Sequence, residues 1–542
     1  MTVHSLRLLH TLFVVIVIWR ILIVNPLSIV HAQVTTAITP TTGPGNLNTT
    51  VIQAAETYNI GGGTRPGAGP NLFHSFDLFS IAGGDIANFA NEGGLPTSNI
   101  LGRVTGGQVS NIWGTIQTIE FPGANLFLMN PAGIVFGPTA QLNVGGAINF
   151  TTADYLRMAD QNGIAGIFYA SPLQSSVLTT APVVAFGFLT ATPAPITVQG
   201  SNLFLQPGQG LTLVGGDITI GADPDSGQTT FIQAPGGKFQ IVSVASPGEV
   251  LTPSLDFGPN INGQSFAALG TATLREFTFV DVSDSSFLVD GTAGSVAIRG
   301  GRLVIEDFSG FVADHNSDAV APNPAISLIA QDDLVVRNGS FLQIINNGNG
   351  RAGDISLSGK TILIGDGSIV VHDTVGTGQP GNIDLRATES VSIQGFLFDE
   401  GNNSVVSTTG GTITVQAPII TLDDVGAIRS STGPASQLGN ISLSGINISL
   451  TRGGSIRVTG DGQASSTVAI TAQETFIASG QMAPDRVSSI QMEDISDGGV
   501  SIQARNIAIR DGGVIEVANG LPNQGRAHLD LTAQESLRIS GN

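Results

Sequence analysis

The chain has 542 residues, 41% of them hydrophobic and 11% charged, with 71 glycines and a net charge of −20. Such a hydrophobic share excludes a disordered chain, and the excess of acid argues against nucleic acid and anionic lipid surfaces as partners. No cysteine is present, which removes disulfide frameworks, thiolate metal sites and cysteine nucleophiles together.

The first 32 residues read as an export signal. Arg7, His4 and His10 give a weakly basic start, Leu12–Trp19 and Ile21–Val24 are apolar, and Val30-His31-Ala32 supplies a cleavage site before Gln33. A retained anchor is the competing reading, because Leu12–Val30 is nearly long enough to span a bilayer. Arg20 and Asn25-Pro26 interrupt that stretch. Residues 33–70 are rich in Thr, Pro and Gly and form an irregular lead-in, with a strand expected around Val51.

Between residues 71 and 154 lies a series of distinctive stretches. They are Asn71-Leu-Phe73-His74-Ser-Phe76 with Phe79, Arg103-Val-Thr-Gly106-Gly107, and Ser110-Asn111-Ile-Trp-Gly114. Next come Ala124-Asn125-Leu-Phe127-Leu-Met-Asn130-Pro131-Ala132-Gly133-Ile134-Val-Phe136-Gly137, Gly145-Gly146 and Thr151-Thr-Ala-Asp154. Asn130-Pro131-Ala132-Gly133 suits a tight turn, since Pro131 fixes φ and Gly133 accepts a positive one. Leu126, Leu128, Ile134 and Phe136 flank it as alternating core residues. Asn71–Phe76 and Phe79 are expected to plug the open N-terminal end of a solenoid, where strand edges would otherwise be bare.

In order and spacing these stretches resemble the secretion domain of filamentous haemagglutinin-type proteins, the exported partners of two-partner secretion, in the version common in cyanobacteria. The resemblance covers about Gln33 to Leu156. It implies a β-helical domain whose unfolded segment is read by the periplasmic recognition modules of an outer-membrane β-barrel transporter. By position it assigns Asn130, Pro131, Gly133, Ile134, Phe136 and Gly137 to the secretion motif. Asn71, Phe73, His74, Phe76, Phe79, Gly106, Gly107, Asn111, Gly114, Asn125 and Phe127 are the further family-motif residues. The family has Asn-Pro-Asn-Gly where this chain has Ala132 in the third place, and a second Asn-Pro-Asn-Leu motif is not visible.

Thr192-Pro-Ala-Pro195 marks a break, so a secretion domain is expected over 33–195 and a shaft over 196–542. The early shaft carries longer excursions such as Ser246–Gln264. From residue 290 a repeat takes over. Apolar alternation recurs from Val296, Ile326, Ile355, Ile383, Ile413, Ile441, Val468, Val500 and Leu529, about 29 residues apart. A second pair follows seven or eight residues later, as in Leu303/Ile305, Ile362/Ile364 and Ile448/Leu450, and is degenerate only at Phe476/Ala478. A third position, often after Gly-Ser, holds Phe341, Ile369, Ile428, Ile456 and Ile515. Three short strands per 29-residue unit predict an all-β, right-handed parallel β-helix, because a lone coil cannot bury its apolar face and stacked coils can. The last unit stops after its second strand, so a shaft incomplete at its C-terminus is expected, with any effector beyond residue 542.

Catalytic and cofactor signals are thin. Gly348-Asn-Gly350-Arg-Ala-Gly353 and Gly376-Thr-Gly378-Gln-Pro-Gly381 match the dinucleotide fingerprint, but each runs into a strand where that site needs a helix. Gly359-Lys360-Thr361 lacks the first glycine of a phosphate loop. His74, His315, His372 and His528 are scattered, and Asp223-Pro-Asp225-Ser-Gly227 reads as a polar turn. Asp332-Asp333 and Asp423-Asp424 are the acidic pairs that a polysaccharide hydrolase or a calcium site would use. The expectation is therefore no catalytic, cofactor or metal residues, and a secreted or surface rod with an adhesive or structural role toward cells, matrix or polysaccharide. A carbohydrate-active β-helix enzyme and the delivery stalk of a contact-dependent toxin are the alternatives.

Overall fold

The computed structural model describes residues 34–284, 291, 293–395, 404–434, 436–483, 486–518 and 527–541. The expected signal and its cleavage site lie outside the described residues. Apart from a single 3-10 turn at Pro66–Ala68, every helix or strand among the described residues is a strand. They wind into a β-solenoid of about 16 turns with about 29 residues per turn.

A full coil contributes three strands. The first and second belong to one 24-stranded sheet that bends around a corner, and the third builds an 11-stranded sheet from Asn202–Phe204 onward and part of a five-stranded sheet before it. All nine expected first positions fall on one parallel ladder, running Val296, Ile326, Ile355, Ile383, Ile413, Ile441, Val468, Val500 and Leu529. The same column continues toward the N-terminus through Phe239, Leu211, Ile148, Leu126, Ile100 and Leu72. The second pairs stack equally well, and Phe476/Ala478 keep the register of Ile448/Leu450 and Ile507/Ile509. Alternation does what it should: in Ile383–Gln394, Ile383, Leu385, Val391 and Ile393 are buried and Arg386 is exposed. Full burial of each such side chain contributes roughly 1.5–3 kcal/mol.

The third position departs from the expected register. Phe341 and Ile369 align with Val405, Ala427 and Ser455, whereas Ile428 and Ile456 align with Ile490 and Ile515. The inward residues on the earlier coils are therefore Leu342, Val370 and Val406, and Ile369 faces outward, 37% exposed. Two adjacent apolar residues occupy each of these strands, and a slip of one residue exchanges the two faces. Hydroxyls, not apolar residues, mark this corner. Ser201, Thr230, Thr278, Ser309, Ser340, Ser368, Ser404 and Ser488 are all buried, and many accept the amide of a neighbouring coil, as Ser340 Oγ does from Ser309 N and Ser368 Oγ from Ser340 N.

The tandem fingerprints are stacked loops. A Cβ at Gly376 would lie 2.2 Å from the Gly348 carbonyl oxygen, and one at Gly378 would lie 2.1 Å from that of Gly350. Glycine is needed there because one coil's backbone sits directly on the next.

At the N-terminal end, Asn71–Ser80 is itself a rung of the ladder and not a plug. Its edge is covered by Ala37–Pro40, which pairs antiparallel with Ile38 opposite Phe79. A hairpin of Thr49–Ala54 and Thr57–Gly62 extends a separate five-stranded sheet. The excursions form another: Tyr155–Ala159, Ala165–Tyr169, Val183–Phe188, Gly248–Leu251 and Phe257–Gly258 make an antiparallel five-stranded sheet. It crosses residue 195, since Ala185–Phe188 pairs with Gly248–Leu251. This sheet covers the outer side of the early coils, and Phe73, Leu101, Phe127, Met129, Val214 and Val242 pack with Leu156, Met158, Phe168, Phe186 and Phe188 in a second core.

Candidate secretion-motif site

Asn130–Gly133 folds as the expected turn. Gly133 N donates to the Asn130 carbonyl at 3.0 Å, and Gly133 takes φ +116°. Asn130 is fully buried, and its side chain satisfies three backbone or hydroxyl groups. Its Oδ1 accepts from Ala132 N at 3.0 Å, while Nδ2 donates to Gln108 O and Ser110 Oγ, each at 2.9 Å. A buried amide that loses such partners costs about 1–3 kcal/mol. Ile134 and Phe136 point into the core, where Phe136 meets Phe150 edge-on at 4.7 Å.

Gly137 carries no side chain because Trp113 lies against it: a Cβ there would come within 2.5 Å of the indole. Thus Ser110-Asn111-Ile-Trp-Gly114 and the turn segment interlock through Ser110–Asn130 and Trp113–Gly137. Asn111 contributes its backbone, donating to Ser80 Oγ and accepting from Ile81 N. Gly114 and Gly106 are close-approach positions, each within 2.3 Å of a carbonyl oxygen if a Cβ were added, and Gly107 takes φ +71°.

Asn71, Asn99 and Asn125 occupy equivalent rungs and form an amide ladder. Asn125 Nδ2 donates to Asn99 Oδ1 at 3.1 Å, and Asn99 Nδ2 to Asn71 Oδ1 at 2.8 Å. Asn71 Nδ2 ends the run on the Thr179 and Ala181 carbonyls. Phe76 packs edge-on against Phe79 at 4.9 Å, Phe73 against Phe168 at 5.1 Å, and Phe127 stands 6.3 Å from Phe186. His74 is buried between Phe76 and Phe89, and burial together with the Arg65 charge pushes its pKa down to about 3. It is a neutral core residue near pH 7. Asp154 caps the next loop through Leu189 N and Thr190 N.

Two polar keystones had no expectation attached. Arg103 is 2% exposed and reaches Ser75 Oγ, Tyr169 O and Gly45 O at 2.6–2.9 Å while its guanidinium lies 5.1 Å from the Phe168 ring centre. Burial pushes its pKa down to about 10. It ties the lead-in, the first coils and the excursion together. Glu249, buried, accepts from Arg157 Nη2 at 2.7 Å and from Tyr155 OH at 2.8 Å, and Tyr155 OH in turn accepts from Ile261 N. The only sequence signal was a strong base at an alternating position of the apolar strand Asn99–Val104.

The other candidate chemistry is dispersed. Arg452 lies across Asp423 and Asp424. Asp333 Oδ1 accepts from Thr361 Oγ1 at 2.8 Å. Asp223 closes its own turn by accepting from Ser226 N and Oγ. Among the described residues no group of three or more His, Asp or Glu could hold a metal, and no helix is long and apolar enough to cross a membrane.

Residues 36–298 match the family described as TPS secretion domain. No curated protein matches the chain. Among solved structures, the HMW1 secretion domain from Haemophilus influenzae overlaps loosely, at 14% identity and TM-score 0.40, covering 90% of this chain and all of that one. The family match takes in the interlocked turn, the amide ladder and the second core, and implies an outer-membrane partner transporter and export to the cell surface or beyond. The chain thus carries a TPS secretion domain over residues 36–298, which implies a two-partner-secreted protein.

Proposed function

We propose that this protein is a secreted rod whose N-terminal coils serve delivery and whose shaft serves adhesion or structure toward cells, matrix or polysaccharide. A signal cleaved after Ala32 starts its export, and the periplasmic modules of the partner transporter read the Asn130–Gly137 segment before it folds. The observation that carries this is the burial of Asn130: its amide is consumed within the domain, so the folded turn offers a transporter little to bind. The delivery domain in this reading extends past 195, because the second core needs strands from both sides of it.

The expected outcome is that a purified partner transporter binds residues 33–298 kept unfolded in urea and then diluted, and fails to bind the same chain after folding. Equal binding of the folded form would overturn it. In cells, Asn130→Ile with Gly133→Val should strand the chain in the periplasm, since β-branched side chains resist a positive φ. N-terminal sequencing of exported material should begin at Gln33.

The rod reading is favoured over a hydrolase by the acidic pairs: Arg452 lies across both Asp423 and Asp424, and Asp333 of the other pair is bonded to Thr361. Adhesion itself is tested by binding of the purified shaft to cells and to isolated matrix.

A further inference from the structure

The 11-stranded sheet carries an isolated basic spot on an acidic molecule. Arg429 and Arg457 occupy consecutive rungs of one outward column, with Ser407 on the rung before them. Adjacent rungs lie about 4.8 Å apart, so the two like charges are neighbours. Arg457 is neutralised by Glu493 at 2.9 Å. The Arg429 guanidinium makes no hydrogen bond or ion pair among the described residues, although it is part-buried. Burial and the Arg457 charge both hold its pKa below the usual arginine range, and among the described residues no carboxylate acts in the other direction.

The same spot is rich in donors. Ser431 lies two residues along the Arg429 strand and so on its outward side, and Thr409 and Thr459 are its partners on the adjoining rungs. Ser431 Oγ and Thr409 Oγ1 are 3.4 Å apart, and Thr409 donates its own proton to Asp373. A partly desolvated guanidinium beside a second one and flanked by hydroxyls is uphill without an anion and matches an oxyanion in both charge and donor count.

We propose that Arg429, with Ser407 and Ser431, forms a binding site for a single oxyanion, a carboxylate or sulfate, borne by an otherwise neutral extracellular glycan. The net charge of −20 selects against densely charged polymers. One isolated charge approaching the spot feels chiefly its nearest neighbours, because screening confines electrostatics to about 8 Å at physiological salt. The choice of a glycan rests on the adhesive reading above; the anion site does not.

The experiment uses the full-length secreted chain, with sodium glucuronate and sodium sulfate as small probes and lightly carboxymethylated dextran against neutral dextran as polymers. Chemical shifts of the arginine side chains report probe binding. Arg429 Nε should move on addition of either small anion, and Arg429→Gln should lose on the order of tenfold in affinity, the loss of one charge-assisted contact. Arg429→Lys should keep part of the affinity, and Ser431→Ala should weaken binding without altering the fold. Because Arg429 has no partner to lose, Arg429→Gln should leave thermal stability unchanged or raised, which separates a binding role from a structural one. No response of Arg429 to either anion would overturn the site, as would a response surviving in Arg429→Gln, which would mean an adventitious ion only. A response to the small anions with no preference for carboxymethylated over neutral dextran would keep the site and overturn the glycan. Dextran capture that ignores Arg429→Gln would leave the adhesive reading standing and remove this site from it.

Discussion

The coils before about residue 298 and those after it follow one winding rule but differ in what lies outside them. In the early region a flanking antiparallel sheet adds a second core built from Phe73, Phe127, Phe168, Phe186 and Phe188, so both faces of the first strands are buried. In the shaft the inward columns are aliphatic, as in Ile355, Ile383, Ile413 and Ile441, and the outward face of those strands meets solvent. Contacts in the shaft run mainly from coil to next coil. Those of the early region span large separations, 92 residues from Arg157 to Glu249 and 66 from Arg103 to Tyr169. A stack of nearest-neighbour units comes apart locally, whereas a region held by distant clasps should come apart as a whole. The difference fits the delivery role proposed above, because the second core of the early coils cannot be completed until residues well past the Asn130–Gly137 segment are available.

The largest expected effect is Ile383→Asp. It places a carboxylate between Ile355 and Ile413, at a cost of several kcal/mol, and should open the shaft around residue 383 to limited proteolysis while the early region stays resistant. Cleavage confined to the early region would contradict the separation of the two. Next, Glu249→Ala should cost about 3 kcal/mol by leaving Arg157 part-buried without its partner. Hydrogen exchange should then rise together across 155–188 and 248–258; protection lost on one side only would show that the second core is not cooperative.

A third test uses pH. Burial, with Asp281 and Asp284 nearby, pushes the Asp314 carboxyl up to about 7. Its folded pKa exceeds its unfolded one, so its contribution to stability is full below about pH 4 and is lost as pH rises toward 7. His74 has the opposite sign: its contribution is full above about pH 6.5 and is lost as pH falls toward 3. Asp314→Asn should flatten the shaft's pH profile between 4 and 7 and leave the early region's profile unchanged. A flattened early region instead would mean that the two halves unfold as one. The smallest effect is Asp384→Asn, which loses a part-exposed contact to Arg386 and should change stability by at most about 1 kcal/mol.

Much of this fold was legible in advance, and the limits have physical causes. The first and second columns were readable because each strand alternates cleanly, apolar against polar, so one face declares itself. The third column was readable only where a single apolar residue stood at the position, as in Ile456; Phe341-Leu342 and Ile369-Val370 say nothing about which member faces in. The Asn130–Gly133 turn followed from proline and glycine chemistry alone.

By itself, then, the sequence determined the coil length, the register of two faces and the turn that interrupts an early coil, since these depend on residues close in the chain. Only the tertiary structure decided that the excursions join into a sheet across residue 195, and that among the described residues neither the buried Arg103 nor Arg429 meets a carboxylate. Those outcomes depend on segments tens of residues apart meeting in space, and no local period records such a meeting.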